Sequence, residues 1–193
     1  MADYAIWRDN RPMATLPVYD DPQTEFVSVR EYLTTSYRPD CDYVDGRIEE
    51  RNVGEFDHSL IQTLLGQLIM NNRAAWGVLA LTDVRVQVKA TRFRVPDLTV
   101  VRADAPREQI LTHPPLLVIE ILLPEDRLSR TTERTDEYID FGIENIWIVD
   151  PKRRLAYRVT KAGLELTPSN EITVPETPIR VALNDLFAEL DRN

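Results

Sequence analysis

The chain has 193 residues and a formal net charge of −9. Hydrophobic residues make up 43% and charged residues 28%, which are ordinary values for a globular protein and exclude a fibrous or disordered chain. The acidic balance argues against nonspecific binding to nucleic acid over a broad basic surface, so any contact with DNA must be local.

The sequence indicates a cytoplasmic protein with one domain. Residues 116–123 form the longest apolar stretch, which is too short to cross a bilayer and contains Glu120. The first twenty residues lack the continuous apolar region of a secretory signal. The size predicts one domain over residues 28–193, preceded by a proline-containing extension over residues 1–27. The single cysteine, Cys41, cannot form an intrachain disulfide and lacks the Cys or His neighbours of a zinc site.

A short helix and a hairpin are predicted first. Ser28 and Glu31 stand three positions apart, as in a capping box, which indicates a helix that begins after Ser28. The dipeptide Asp45-Gly46 lies between apolar positions, a pattern typical of a tight hairpin turn. The domain is therefore expected to open with a helix followed by two antiparallel strands.

A long helix and a sheet follow. Apolar residues recur at helical spacing from Leu60 to Ile69, so we expect a helix that is capped by Asp57 and ends near Gly77. Three strands come next, and the last is placed at the centre of the sheet because its apolar character is unbroken. These strands are predicted at residues 84–89, 94–101 and 116–123, so that the core of the sheet spans Val84 to Leu123.

The second half of the chain predicts a helix, three strands and a last helix. Ser129, Thr131 and Thr132 are candidate caps for a helix of about three turns that ends at Gly142. The remaining elements are strands at residues 146–151, 155–159 and 164–166 and a short helix at residues 184–190. This order indicates an α/β or α+β domain, with a mixed sheet covered by helices.

Glu120 is an ionisable residue inside the most apolar predicted strand. A buried carboxylate must be paired, protonated or bound to a metal ion. Asp97 opens the preceding strand just after Pro96, and neighbouring strands can bring the two carboxylates together. Such a pair, completed by a main-chain carbonyl and water, suits Mg²⁺ or Mn²⁺. The structural alternative is that Glu120 pairs with one of the twenty arginines while Asp97 ends a turn.

Three blocks of sequence carry a resemblance to a known family. They are Pro96-Asp97, the segment PPLLVIEILLP at residues 114–124 and the segment RTDEYIDFGIENIWIVDP at residues 134–151. In this order they resemble the Uma2 family of putative restriction endonucleases, within the PD-(D/E)XK nuclease superfamily. The segment DYVDGRI at residues 42–48 and His58 also resemble that family, and the likeness covers about residues 28–190.

The resemblance implies a restriction-endonuclease-like fold, with a mixed central sheet flanked by helices. It implies that Asp97 and Glu120 hold a metal ion and that the main-chain carbonyl of Ile121 is a further ligand. Asp42 lies where the family usually has an additional acid of the site. The implied cofactor is Mg²⁺ or Mn²⁺, the implied partner is DNA, and we also expect a homodimer.

The expected catalytic lysine is missing from this sequence. The wider superfamily has it two residues after the second acid, where this chain has Leu122. Family members commonly carry it in the following helix instead, at the position that matches Arg134. Because Arg134, Tyr138 and Phe141 share one helical face, Arg134 is expected to point toward the sheet. An arginine can hold a phosphate or offset negative charge, but it cannot act as a general base.

Several other side chains have both a functional and a structural interpretation. Lys89 is an alternative source of positive charge or an exposed lysine. His58 either approaches Asp42 or the metal site, or lies at the surface near the helix start. Trp147 and Tyr138 are expected in the core rather than as platforms for bases. The basic run at residues 152–154 is expected to be a charged turn. The helical acids are expected to form a solvated face, and they are Glu133, Asp136, Glu137 and Asp140.

The expected function is metal-dependent hydrolysis of phosphodiester bonds in DNA, with Arg134 stabilising the negative charge of the transition state. The alternative is a nuclease-shaped binding or assembly module without catalysis, which the missing lysine and the net charge of −9 favour. A third hypothesis is phosphoryl chemistry on RNA or nucleotides with the same ligands.

Overall fold

A six-stranded mixed sheet forms the centre of the protein in the computed structural model, which describes residues 26–51, 54–124, 128–168 and 170–192. The predicted extension, residues 1–27, lies almost entirely outside these residues. In the described part of the chain, no helix is both long enough and apolar enough to span a bilayer.

The described residues form five α-helices, one 3-10 turn and twelve strands. The helices are α1 (Val29–Thr34), α2 (Phe56–Asn71), α3 (Arg73–Trp76), α4 (Leu128–Phe141) and α5 (Leu183–Ala188), and the 3-10 turn is Glu189–Asp191. The first six strands are β1 (Cys41–Val44), β2 (Arg47–Glu50), β3 (Val78–Thr82), β4 (Val86–Lys89), β5 (Arg92–Arg94) and β6 (Leu98–Arg102). The last six are β7 (Leu117–Ile121), β8 (Ile146–Asp150), β9 (Leu155–Thr160), β10 (Gly163–Leu166), β11 (Glu171–Thr173) and β12 (Arg180–Ala182).

The central sheet has the strand order β10-β9-β8-β7-β6-β3. Strands β7 and β8 run parallel, and α4 connects them, whereas the other neighbours in this sheet are antiparallel. All five residues of β7 are buried, as expected for a strand with an unbroken apolar run at the centre of a sheet. A second sheet has the order β2-β1-β5-β4, and β11 pairs with β12 in a third. The mixed α+β architecture predicted from the sequence is therefore confirmed.

The first two predicted elements form as expected. The side-chain oxygen of Ser28 accepts a hydrogen bond from the Glu31 amide at 3.2 Å, which caps α1. Asp45 and Gly46 have φ values of 48° and 93°, so both occupy the left-handed region that a two-residue hairpin turn requires. Strands β1 and β2 pair antiparallel on either side of this turn.

The single strand predicted over residues 94–101 is wrong, because this segment is divided between two sheets. Strand β5 ends at Arg94 and pairs with β1 and β4, whereas β6 begins at Leu98 and pairs with β3 and β7. Pro96, which has no amide hydrogen to donate, lies between them. Residues 84–123 thus do not form one sheet core. Strand β3, which was not predicted, occupies an edge of the central sheet.

The predicted helix boundaries need three corrections. The N-cap of α2 is Glu55, and Asp57 lies in the first turn, where its charge is favourable near the helix N-terminus. The helix ends at Asn71, and Gly77 closes the separate short helix α3 in the left-handed conformation. Helix α4 begins at Leu128, before the predicted caps Ser129, Thr131 and Thr132.

The two faces of β7 have different surroundings. Leu117, Ile119 and Ile121 belong to the core cluster that includes Ile61 and Leu65 of α2. Because side chains alternate along a strand, Val118 and Glu120 point to the opposite face. That face is covered by α4 and β4, whose buried residues cluster with Val118. Glu120 therefore faces α4, at the level where the two larger sheets meet.

Candidate active site

A polar cleft of about 540 Å³, including its open mouth, lies at the ends of β2, β6 and β7 and is bordered by α2 and α4. Its walls combine the two carboxylates expected at the site with Glu50 and with three nitrogen-bearing side chains from other elements. The lining residues are Glu50, Arg51, His58, Asp97, Glu120, Ile121, Leu122, Leu123, Thr131 and Arg134.

Strand pairing places Asp97 beside Glu120. Leu98 of β6 is the antiparallel partner of Ile119 of β7, and extending this register by one residue brings Asp97, which directly precedes β6, to the level of Glu120, where both line the cleft. Side chains of directly opposed residues lie on the same face of a sheet. The amide of Ile121 donates a hydrogen bond of 2.8 Å to Oδ2 of Asp97, which fixes the carboxylate against β7. The predicted approach of the two acids is thus present in the structure.

Asp97 is buried, and three donor groups of other residues contact its carboxylate. Nη2 of Arg51 lies 2.5 Å from Oδ1, and Nε2 of His58 lies 3.3 Å from Oδ2, on the oxygen that also accepts from Ile121. Burial alone raises the pKa of Asp97, but the hydrogen bond from His58 and the charge of Arg51 outweigh it and lower the pKa below its usual value. Asp97 is therefore ionised at neutral pH.

Glu120 has the opposite tendency. Its burial is the main cause that raises its pKa to about 7, and the neighbouring charge of Asp97 adds to the increase. The Tyr138 hydroxyl donates to Oε1 at 2.6 Å, and Nη1 of Arg134 lies 3.9 Å from Oε2. Functional sites often contain two neighbouring carboxylates, one with a raised and one with a lowered pKa. Structural ion-pair networks produce the same pattern.

Replacing Tyr138 with phenylalanine is expected to destabilise the protein more at pH 8 than at pH 5. A hydrogen bond to an ionised carboxylate contributes about 1.5 to 3 kcal/mol, whereas a neutral one contributes about 1 kcal/mol. Glu120, with a pKa of about 7, is ionised at pH 8 and protonated at pH 5. Urea unfolding at both pH values measures the difference. In the control variant Tyr32→Phe, which loses a hydrogen bond to the neutral carbonyl of Cys41, the loss should not depend on pH in this way.

Arg134 points into the cleft, as its helical position predicts. Its Nε lies 3.2 Å from Oδ2 of Asp42, and its Nη1 approaches Glu120. Asp42 itself is fully buried and accepts a 2.9 Å hydrogen bond from the Val95 amide through Oδ1. Asp42 thus holds the Arg134 guanidinium beside the two acids and does not itself line the cleft.

A buried ionic network lies behind the cleft and was not predicted. Arg94, of which only 1% is exposed, donates from Nε to Glu137 at 2.7 Å and from Nη1 to Asp42 at 3.0 Å and Glu49 at 2.8 Å. Arg92 donates to the other oxygen of Glu137 at 2.6 Å. The prediction that Glu137 belongs to a solvated face is therefore wrong. Burial tends to raise the pKa of Glu137, but the hydrogen bond and charge of Arg94 lower it overall.

Of the remaining sequence candidates, Leu122 lines the cleft, and the others lie away from it or in the core. Lys89 is half exposed, with its Nζ 3.8 Å from the exposed Asp140, so it does not supply the missing positive charge. Leu122, at the position where the resemblance leads us to expect a lysine, lines the cleft. Trp147 is buried in the main core, as predicted. The basic run at residues 152–154 forms a turn between β8 and β9.

Arg51 was missed by the sequence analysis, because nothing in the pattern distinguishes it from the other nineteen arginines. It follows β2, and its side chain is only 12% exposed. Burial alone would lower its pKa, but the charges of Asp97, Glu120 and Asp42 raise it above its usual value, so the guanidinium remains charged. Only the folded structure brings this residue next to Asp97.

The donor set of the cleft fits a hard divalent cation. Asp97, just before β6, and Glu120 on β7 supply carboxylate oxygens, and a bound cation would favour the ionised form of Glu120, whose pKa is raised mainly by burial and further by the charge of Asp97. No group of three His, Cys, Asp or Glu side chains suited to a metal occurs among the described residues, so main-chain and water oxygens would have to complete the shell. The Ile121 amide donates a hydrogen bond to Asp97. The assignment of the Ile121 carbonyl as a metal ligand stays a prediction.

The sequence profile of one protein family matches residues 29–184 of this chain, and the family is described as Uma2, putative restriction endonuclease. The match covers most of the chain and includes all of the cleft residues named above. No curated protein matches the sequence.

Two solved structures are similar to different degrees. A crystal structure of a putative nuclease of DUF820 from Anabaena variabilis superposes with a TM-score of 0.73 at 22% identity, over 85% of this chain and 99% of that chain. A cryo-electron-microscopy structure of a DrdV–DNA complex gives a TM-score of 0.37 at 19% identity, over 67% of this chain and 10% of that chain. The first similarity supports the fold described here.

Proposed function

The chain belongs to the Uma2 family of putative restriction endonucleases, and from this premise we propose that it is a metal-dependent endonuclease that hydrolyses phosphodiester bonds in DNA. The observation that carries the proposal is that Asp97 and Glu120 line one open polar cleft, with the guanidinium of Arg134 next to Glu120. We also propose that residues 28–193 act as one domain.

We assign Asp97 and Glu120 as the side chains that hold Mg²⁺ or Mn²⁺, with the carbonyl of Ile121 as a further ligand. When bound, such an ion supplies Lewis acidity toward the phosphate and lowers the pKa of a coordinated water. Tyr138 orients Glu120 by donating to Oε1, which leaves Oε2 directed toward Arg134. The amide of Ile121 orients Asp97 in the same way.

Arg134 is assigned to the phosphate. Its Nε is held by Asp42, and its remaining N–H groups are available near Glu120 to stabilise the charge that develops on the phosphate oxygens. Because an arginine does not release its proton, it does not serve as the general base. With Leu122 in the usual lysine position, the proton of the attacking water passes to solvent or to a substrate phosphate.

The proposal is tested by plasmid nicking. Wild-type protein is incubated with supercoiled DNA and Mg²⁺ or Mn²⁺, and Asp97→Asn is expected to lower the nicking rate at least about tenfold, which corresponds to about 1.4 kcal/mol of transition-state stabilisation. The control is Asp104→Asn, the same substitution in the exposed turn that follows β6. Its rate should equal that of the wild type, and circular dichroism verifies that all three proteins are folded.

Absence of nicking by the wild type with either metal would refute the endonuclease assignment. Equal nicking by Asp97→Asn would show that the activity comes from elsewhere.

A second candidate function is a binding or assembly module with the nuclease fold, acting as a homodimer. Two observations favour it: Leu122 replaces the superfamily lysine, and Arg51 and His58 already occupy both oxygens of Asp97. This alternative expects no cleavage together with retained binding of DNA or a second copy of the chain, which gel-shift and sedimentation measurements detect.

A further inference from the structure

Arg51 adds a positive charge to the cleft at the position where a metal ion would be needed. Its Nη2 lies 2.5 Å from Oδ1 of Asp97, and its side chain is almost as inaccessible as that of Asp97. The negative charges of Asp97, Glu120 and Asp42 favour the charged guanidinium in this place. The structure therefore contains an internal cation bound to one of the two assigned metal ligands.

A divalent ion and the Arg51 guanidinium compete for Asp97. Both are cations, and their mutual repulsion is strong at short distance in a partly desolvated cleft. Oδ2 of Asp97 already accepts from the Ile121 amide, which is fixed within β7, and lies near His58. Oδ1 is instead paired with the Arg51 side chain, which also contacts the more exposed Asp83, so this oxygen is the one for which a metal ion would compete.

Asp83 provides a second partner for Arg51 at the mouth of the cleft. Nη1 of Arg51 lies 3.2 Å from Oδ1 of Asp83, and the Asp83 side chain is 46% exposed. The guanidinium thus bridges a buried carboxylate and an exposed one. If it leaves Asp97, it retains the ion pair with Asp83 and gains water around its other N–H groups. Release of Arg51 from Asp97 therefore does not leave the guanidinium without a negatively charged partner.

We propose that Arg51 is a built-in competitor for the metal ion, which neutralises Asp97 in the metal-free protein and moves toward Asp83 when Mg²⁺ or Mn²⁺ binds. This inference rests on the proposed function, because it takes Asp97 as a metal ligand. Arg51 thereby sets the metal concentration at which the site fills. It is a residue that regulates the site and not a catalytic one.

The test measures Mn²⁺ affinity directly, by the loss of the free-ion signal in electron paramagnetic resonance, without DNA. Arg51→Met removes the competing charge and should lower the dissociation constant at least about tenfold. Asp83→Asn removes the outer partner and should raise the dissociation constant about threefold, as expected for the loss of a partly exposed ion pair. Arg107→Met, which changes an exposed arginine in the same way, should leave it unchanged.

The outcomes separate this inference from the proposed function. Glu120→Gln is included in the same titration, since it should weaken Mn²⁺ binding in any background if the site is the assigned one. Binding that depends on Glu120 but has the same affinity in the wild type, Arg51→Met and Asp83→Asn overturns the role of Arg51 and leaves the metal site intact. If no protein of the set binds Mn²⁺, the role of Arg51 and the metal site are both wrong.

Discussion

Replacing Arg94 with methionine is expected to lower the free energy of unfolding by about 3 to 5 kcal/mol, the usual cost of breaking a buried ion pair by removing one partner. Arg94 is fully buried and donates to Glu137 and Asp42, which are also buried. Methionine fills much of the same volume, so the loss is mainly electrostatic. Arg92 and Arg134 still contact these acids and keep the effect from being larger.

Urea unfolding at pH 7 measures this change, with Arg47→Met as the control. Arg47 is exposed on β2, and its replacement should alter stability by no more than about 0.5 kcal/mol. The loss in Arg94→Met should shrink as the pH falls, because the pKa of Glu137 is lowered in the folded state. A lowered pKa gives stability that is present above the unfolded value of 4.5 and disappears below the folded value. A loss under 1 kcal/mol at pH 7 would mean that the network contributes little.

The second large effect concerns Glu120→Gln in the absence of divalent ions. Relative to the wild type, this variant is expected to gain about 3 kcal/mol of stability between pH 4.5 and pH 8. Glu120 has a pKa of about 7 in the folded protein and 4.5 as its ordinary value, so the folded state binds the proton more tightly. As the pH rises through this window, folding of the wild type requires either that Glu120 stays protonated or that its charged carboxylate is buried, and both cost free energy. Glutamine has no proton to lose.

The sign follows from the number of protons bound. Between pH 4.5 and pH 7 the folded wild type carries more protons at Glu120 than the unfolded chain, so its stability from this group falls as the pH rises. Other acids, such as Asp97, have lowered pKa values and act in the opposite direction. The difference between the wild type and Glu120→Gln cancels them to first order and isolates the contribution of Glu120.

The measurement is urea unfolding at pH 5, 6, 7 and 8 in the presence of a chelator. Glu144→Gln makes the same substitution at an exposed position and should give a constant difference from the wild type. Adding Mg²⁺ should flatten the wild-type curve if Glu120 binds the ion, because binding favours the ionised carboxylate. A difference curve for Glu120→Gln that does not change with pH would show that Glu120 is not perturbed by its surroundings.

Local signals explain which parts of the fold the sequence predicts. The Asp45-Gly46 turn and the Ser28 cap depend on neighbouring residues alone, and both form as predicted. The buried strand β7 is also recognised by its unbroken apolar run. By contrast, the division of residues 94–101 between two sheets depends on which strands lie alongside, and local periodicity does not contain this information.

The candidate site shows the same limit. The approach of Asp97 and Glu120 was predicted because each lies in a distinctive sequence context, whereas Arg134 was singled out by the family resemblance, and its helical face predicted only its direction. Arg51 and Glu137 were not found, since each is an ordinary charged residue whose importance arises from long-range contacts. An acidic residue in a helix is usually exposed, and only the position of Arg94 on β5 explains the burial of Glu137.

The position of Asp42 limits how far the protein can be shortened. This residue lies on the first hairpin, yet its carboxylate joins the main chain at Val95, directly after β5, to Arg134 on α4. A fragment that begins after the hairpin would retain Asp97, Glu120 and the whole central sheet, but Arg134 and Arg94 would lose a shared anchor. The smallest unit able to assemble the cleft therefore includes the hairpin, which ends at Glu50, 47 residues upstream of Asp97 in sequence.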